Sequence, residues 1–96
     1  MFRLIVLMQL EDGVDPQPLI RALEAMPAQV PSMRSLAVNG DLGLTRQYGL
    51  HADLAWTAEF DDQAGWEAYG ASAPHDEFHA QCRGHIRQML VNTWSE

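Results

Sequence analysis

The nine residues ADLAWTAEF, from Ala52 to Phe60, alternate between two kinds of side chain more regularly than any other stretch of the chain. One side is apolar throughout, and the other is mixed: Ala52, Leu54, Trp56, Ala58 and Phe60 against Asp53, Ala55, Thr57 and Glu59. Successive side chains of a strand point to opposite faces, so the pattern predicts a strand at residues 52–60. Its apolar face should lie on a core, and its mixed face should lie outside.

Three further segments show a period of two: residues 2–10, 33–39 and 86–94. The first has one wholly apolar face and one mixed face, like the stretch above. In the last, Ile86, Leu90 and Trp94 are predicted to share a face, while Met89 and Val91 keep the opposite face apolar. The sequence therefore predicts four strands.

Helical segments are predicted between these strands. Asp15 and Pro16 form a strong helix start, as N-cap and first helical residue, and Pro27 is predicted to end that helix. A second helical region follows the third strand and is broken in two by Gly70 and Pro74. Residues 40–49 form a polar connection, and we expect this loop to be the most mobile segment.

The resulting order is β-α-β-β-α-β, which is the ferredoxin-like arrangement of the α+β class, in one domain spanning residues 1–96. Both helical layers then cover one face of a four-stranded antiparallel sheet. The face of the sheet that no helix covers is too apolar for a bare surface and too polar for a dry core. We therefore predict a homodimer that packs sheet on sheet, with a polar-lined cavity between the protomers.

The composition of the chain argues against several classes of binding partner. With 47% hydrophobic and 20% charged residues, the chain is of the ordinary globular type. A formal charge of −7 and the absence of lysine argue against nucleic acid and anionic membranes as partners. No stretch approaches the roughly 18–20 apolar residues of a membrane helix. Cys82 is the only cysteine, which excludes an internal disulfide and favours the cytoplasm.

The densest group of reactive side chains lies at residues 69–79. Tyr69 and His75 are its main candidates for catalysis. At the first turn of a helix, His75 would feel the positive end of the helix dipole, which favours the neutral imidazole that a general base requires. Tyr69 could orient a carbonyl group or donate to a developing enolate. In the alternative interpretation His75 only starts the helix and Tyr69 is a core aromatic residue.

A metal site is a weaker alternative at the same place. His75 and His79 are four residues apart on one helical face, as in the zincin motif, but Asp76 occupies the position of its glutamate. No third ligand follows at a fixed spacing, and catalytic zinc needs three protein ligands. We therefore expect no metal, and His79 is interpreted as a surface residue.

Three blocks together resemble the stress-responsive A/B barrel (Dabb) family: residues 3–7 (RLIVL), residues 53–62 (DLAWTAEFDD), and residues 66–69 (WEAY) followed by Pro74-His75. The resemblance implies a dimeric α+β barrel of two ferredoxin-like units. The family includes a plant polyketide cyclase that works without metal or organic cofactor and uses a tyrosine and a histidine six residues later. Tyr69 and His75 have that spacing, whereas Arg3 stands where the cyclase has a histidine.

Two classes of function follow. The first is a cofactor-independent lyase or cyclase acting on a polyketide-like or aromatic compound, with His75 as general base, Tyr69 as orienting donor, and Arg3, Asp53 and Trp56 as substrate-binding residues. The second is a non-catalytic stress-response or ligand-binding barrel. A cofactorless monooxygenase is a weaker third hypothesis.

Overall fold

The computed structural model describes residues 1–96. Its four strands are β1 (Phe2–Leu10), β2 (Met33–Gly40), β3 (Leu54–Phe60) and β4 (Ile86–Ser95). They form one antiparallel sheet in the order β2-β3-β1-β4, so that β1 and β3 are central. This confirms the predicted ferredoxin-like α+β fold.

Three helices cover one face of the sheet: α1 (Gln17–Gln29), α2 (Gln63–Gly70) and α3 (Ala73–Cys82). Asp62 is the N-cap of α2, and its carboxylate accepts a 2.9 Å hydrogen bond from the Gly65 amide. Ser72 caps α3 in the same way through the His75 amide. A single 3₁₀ turn, Arg46–Tyr48, interrupts the connection between β2 and β3. None of the helices is long and apolar enough to cross a membrane.

The core lies between the sheet and the helices and follows the alternation of β1 and β3. Along β3, Leu54, Trp56, Ala58 and Phe60 are buried, while the residues between them are partly or fully exposed. Leu23 of α1 packs into the same cluster and has no exposed surface. Burying a large apolar side chain contributes roughly 1.5–3 kcal/mol, so this single cluster supplies most of the favourable free energy of folding.

Two details of the prediction were wrong. Pro27 does not end α1, which continues to Gln29. Because proline has no N–H, the helix lacks only the hydrogen bond that residue 27 would donate. The Val30 amide still donates to the Met26 carbonyl, and the side chains of Val30 and Met26 are buried. Ile86 does not share a face with Leu90, because a register shift between Gln9 and Leu10 moves the start of β4 to the helix-covered side.

The opposite face of the sheet is mixed, as expected. Leu7 of β1 stands opposite Leu90 of β4, and these side chains are 37% and 59% exposed. Beside them Arg3 lies between two carboxylates, 2.7 Å from Glu59 and 3.1 Å from Glu96. We call this surface the open face.

Candidate functional site

A cavity of about 380 Å³ lies between the helix-covered face of the sheet and helices α2 and α3. It exists because the helices leave edge strand β4 uncovered: Met89 and Val91 point to the helix side but are 41% and 56% exposed. Most of its lining is hydrophobic, with Trp56 on the floor and Phe78 from α3 beside it. The cavity therefore belongs to a single chain and does not lie on the open face, where the sequence placed it.

The turn between α2 and α3 brings the two catalytic candidates together. Tyr69 is in the last turn of α2, His75 is in the first turn of α3, and both line the cavity. Their rings meet edge to face with centroids 4.9 Å apart. The Ser72 hydroxyl donates to the Tyr69 carbonyl at 2.6 Å and accepts from the His75 amide at 3.3 Å. One side chain thus fixes the backbone on both sides of the pair.

The Tyr69 ring is buried against Phe60, at a centroid distance of 5.8 Å. Burial, and next to it the nearby Cys82, raises the pKa of Tyr69 to about 12. A phenol with this pKa is protonated at neutral pH and can donate a hydrogen bond. Its hydroxyl has no protein hydrogen-bond partner and keeps some accessible surface at the cavity. Tyr69 is therefore a neutral donor available to a bound molecule.

His75 is held from outside the cavity. Its Nδ1 lies 3.3 Å from a carboxylate oxygen of Asp76, whose side chain is largely exposed. Nε2 has no protein partner and is free to exchange a proton. On its other side the ring contacts His79, with centroids 4.2 Å apart. Burial, and then the neighbouring His75, lowers the pKa of His79, which keeps this second imidazole neutral at neutral pH.

The three residues proposed to bind substrate lie in different parts of the structure. Trp56 joins Tyr69 and His75 in the cavity wall, and its indole N–H is buried without a hydrogen-bond partner. An unsatisfied buried donor costs about 1–3 kcal/mol, so an acceptor on a bound molecule would be stabilised there. Arg3 is on the open face in its two ion pairs, with the sheet between it and the cavity.

Asp53 lies immediately before β3, in a separate polar crevice. One of its oxygens accepts from the Leu10 amide at 2.7 Å, and the other accepts from Arg46 at 3.2 Å. The first bond joins the start of β3 to the end of β1, and the second joins it to the 3₁₀ turn. Neither Asp53 nor Arg3 is among the residues that line the cavity beside Tyr69.

The metal alternative finds no support in the geometry. His75 and His79 are adjacent, but no group of three or more His, Cys, Asp or Glu side chains converges anywhere in the chain. Cys82 lines the cavity as a free thiol, and burial raises its pKa to about 11, which disfavours the thiolate that metals bind.

The sequence interpretation missed Arg83 and Trp66, which also line the cavity. Trp66 stacks on Phe2 at 5.5 Å between centroids and closes one end. Arg83 follows the last residue of α3 and stands at the mouth. The one signal for Arg83 in the sequence is its place directly after Cys82, which follows the apolar Phe78 at the four-residue spacing of one helix face.

Comparison with known proteins supports this architecture. A family model described as the stress responsive A/B barrel domain matches residues 2–95. No curated protein matches the sequence. Solved structures that resemble the chain include a dimeric ferredoxin-like protein of unknown function from Thermobifida fusca, 26% identical, with a TM-score of 0.85 over 99% of this chain and 90% of that one.

Two more distant structures share the fold. One is a hydroxynitrile lyase from Passiflora edulis, 18% identical, with a TM-score of 0.82 over 97% of this chain and 90% of that one. The other is a Dabb family protein from Mesorhizobium loti, 12% identical, with a TM-score of 0.80 over 99% and 95% of the two chains. At these identities the likeness concerns the fold alone.

Proposed function

Because the chain belongs to the stress responsive A/B barrel domain family, we propose that it is a cofactor-independent lyase or cyclase acting on an aromatic or polyketide-like small molecule. One observation carries this proposal: the free hydroxyl of Tyr69 and the free Nε2 of His75 belong to adjoining rings in the wall of one apolar cavity. A cavity of about 380 Å³ is within the usual range for small-molecule sites. A lyase with this fold exists among the structural relatives.

His75 acts as the general base. A histidine is suited to this role at neutral pH, and the Asp76 carboxylate beside Nδ1 stabilises the ring once Nε2 has taken a proton. Tyr69 acts as the orienting donor, because its neutral phenol binds a carbonyl oxygen and binds it more strongly as negative charge develops there.

The proposed reaction begins with a C–H bond next to a substrate carbonyl. Nε2 of His75 removes the proton, and the electron pair moves onto the carbonyl oxygen, where the Tyr69 hydroxyl donates to it. The enolate carbon then attacks a second carbonyl of the same molecule, forming the ring bond and an alkoxide. The imidazolium returns its proton to that alkoxide. The sequence of steps requires no further reactant, and its reverse is a carbon–carbon lyase reaction.

Deuterium exchange tests this proposal without knowledge of the substrate. Phenylacetone combines an aromatic ring with C–H bonds next to a carbonyl, and its proton NMR signal disappears as deuterium enters from D₂O. We expect the protein to accelerate this exchange, His75→Ala to lower the rate at least about 100-fold, and Tyr69→Phe to lower it about tenfold or more. His85→Ala and Tyr48→Phe, on exposed side chains outside the cavity, are the matched controls and should exchange at the wild-type rate.

Circular dichroism and melting temperature accompany each variant, and His75→Gln replaces His75→Ala should the latter unfold. A wild-type rate equal to that of a folded His75 variant would overturn the enzyme proposal. A loss of rate in the His85 control would do the same, since it would show exchange outside the cavity.

A non-catalytic ligand-binding role is the second candidate. It is favoured by the contacts of His75, whose ring packs on both Tyr69 and His79, as a structural histidine would. Under this role His75→Ala lowers the melting temperature and no exchange activity exists to lose. The measurements above therefore separate the two candidates.

The proposed assembly is a homodimer through the open face. Leu7 and Leu90 form an exposed apolar pair there, beside the ion-paired Arg3. Such a surface, partly apolar and with its arginine already paired within the chain, suits a symmetric contact. The similar protein from Thermobifida fusca is described as dimeric. The cavity lies on the other side of the sheet, so each protomer would keep its own site.

The proposed location is the cytoplasm. Cys82 is the only cysteine and is a free thiol. A reducing compartment keeps such a thiol unmodified, and its raised pKa of about 11 makes it a slow nucleophile in any case.

A further inference from the structure

Arg83 differs from most of the arginines in having no acidic partner. The chain has six basic residues, all arginine. Four of them form ion pairs: Arg3, Arg34, Arg46 and Arg87. Arg83 is exposed at the mouth of the cavity and makes neither an ion pair nor a side-chain hydrogen bond. Its guanidinium is thus free to bind another molecule.

The charge distribution around the cavity points the same way. The chain carries 13 acidic residues, but none of them lines the cavity. The titratable groups in the lining are Tyr69 and Cys82, both held neutral by raised pKa values, the two imidazoles, and Arg83. Arg83 is therefore the only permanently charged group in a wall that is otherwise apolar, within a strongly acidic protein.

We propose that the cavity binds a flat, largely apolar molecule with a carboxylate group, the apolar body lying against Trp56 and Trp66 and the carboxylate on the guanidinium of Arg83. This inference rests on the proposed function, since it names the ligand class of the same site. The inference adds Arg83 as a binding residue. It also gives the orientation of the ligand, whose ring enters the cavity first and whose carboxylate stays at the mouth.

The physical basis is the geometry of the guanidinium. Its fork of N–H groups binds a carboxylate through two parallel hydrogen bonds, which are stronger than neutral ones. The apolar wall beside Arg83 excludes water from one side of the pair, so the attraction is greater than at an open surface. A neutral analogue of the same shape would bury the same apolar area and lose only this contribution.

The test compares 2-naphthoate with 2-naphthamide, which have the same ring system and differ in charge. Proton–nitrogen NMR titration follows the indole N–H signals of Trp56 and Trp66, which report occupancy, and the Nε–H signal of Arg83, which reports the head group. We expect 2-naphthoate to bind at least about tenfold more tightly than 2-naphthamide. Arg83→Gln should remove this difference, and Arg83→Lys should retain part of it.

Arg21→Gln is the matched control, because Arg21 is also exposed and unpaired but lies on α1, away from the cavity. It should leave both affinities unchanged. Arg83 is also at the C-terminus of α3, where a positive charge interacts favourably with the helix dipole. Because its replacement can lower stability, melting temperatures are measured for every variant.

Equal affinity for the two naphthalene compounds, or a preference that survives Arg83→Gln, would overturn the inference. So would the absence of binding by either compound. These are equilibrium measurements, independent of His75 chemistry. Charge-dependent binding together with absent deuterium exchange would leave Arg83 in place and reject only the enzymatic role.

Discussion

The polar side chains on the two sides of the sheet differ in whether they have protein partners. On the open face, Arg3 is ion-paired with Glu59 of β3 and with Glu96, which follows β4. On the helix-covered face, Tyr69 and His75 keep a donor and a proton acceptor without protein partners. The first face is satisfied by contacts within the chain, and the second has groups still available for binding.

The difference between the two faces comes from the placement of the helices. The alternation of side chains along a strand determines the composition of both faces of the sheet. Which face has a cavity depends on where the helices pack. Here the helices leave β4 uncovered, and the resulting gap is lined by side chains from the ends of α2 and α3. The open face carries no helix and has no such gap.

The largest contrast concerns stability. Phe60→Ala removes a ring that is 0% exposed and should lower the free energy of unfolding by about 3–5 kcal/mol. Thr57→Ala, on the same strand but on the open face, should change it by less than about 1 kcal/mol. Urea unfolding at one protein concentration measures both. A comparable loss for the two variants would show that the open face is as much a part of the core as the other face.

The second contrast concerns assembly. Leu90→Asp places a charge in the apolar pair with Leu7 and should raise the dissociation constant of the dimer at least about tenfold. Ala25→Asp, on an exposed position of α1, adds the same charge away from the open face and should leave the constant unchanged. Sedimentation equilibrium gives the constants. A wild-type monomer at micromolar concentration would disprove the dimer.

The smallest effect concerns pH. In the folded chain the pKa of His79 lies below its ordinary value of 6.5, so the unfolded chain takes up the proton at higher pH. The contribution to stability is complete above that value and is lost as the pH falls from about 6.5 towards the lower pKa. His79→Gln should therefore make the loss of stability between pH 8 and about 5.5 shallower.

Urea midpoints at several pH values measure this slope. His85→Gln, at an exposed histidine outside the cavity, is the control and should follow the wild type more closely than His79→Gln does. An unchanged slope in His79→Gln would mean that this imidazole is as hydrated in the folded chain as in the unfolded one.

The sequence predicted the fold better than the site because the fold depends on local periodicity. The strict alternation of residues 52–60 was enough to place Phe60 in the core. The register shift between β1 and β4, which leaves Arg87 without a partner on β1, could not be predicted from the sequence, because it is a property of two paired strands. That shift alone moved Ile86 to the other face.

The site depends on how the helices cross the sheet, and no single segment encodes this. Arg3 was expected to attract a substrate because the cavity was placed between two open faces, although the alternation had already put Arg3 on the face opposite Phe2. Arg83 was missed for the converse reason. Its sequence neighbours show an ordinary helix end, and only the uncovered strand β4 makes it the mouth of a cavity.

The turn between α2 and α3 has one more consequence. Ser72 bonds the backbone of both Tyr69 and His75, so the relative placement of the two rings is set within seven consecutive residues. The inserted or deleted residue that a surface loop would tolerate would here rotate His75 by about 100° around its helix. The relative placement of the Tyr69 and His75 rings therefore depends on the length of this segment. The loops of this chain are free to vary, but this one should keep its length wherever the pair is kept.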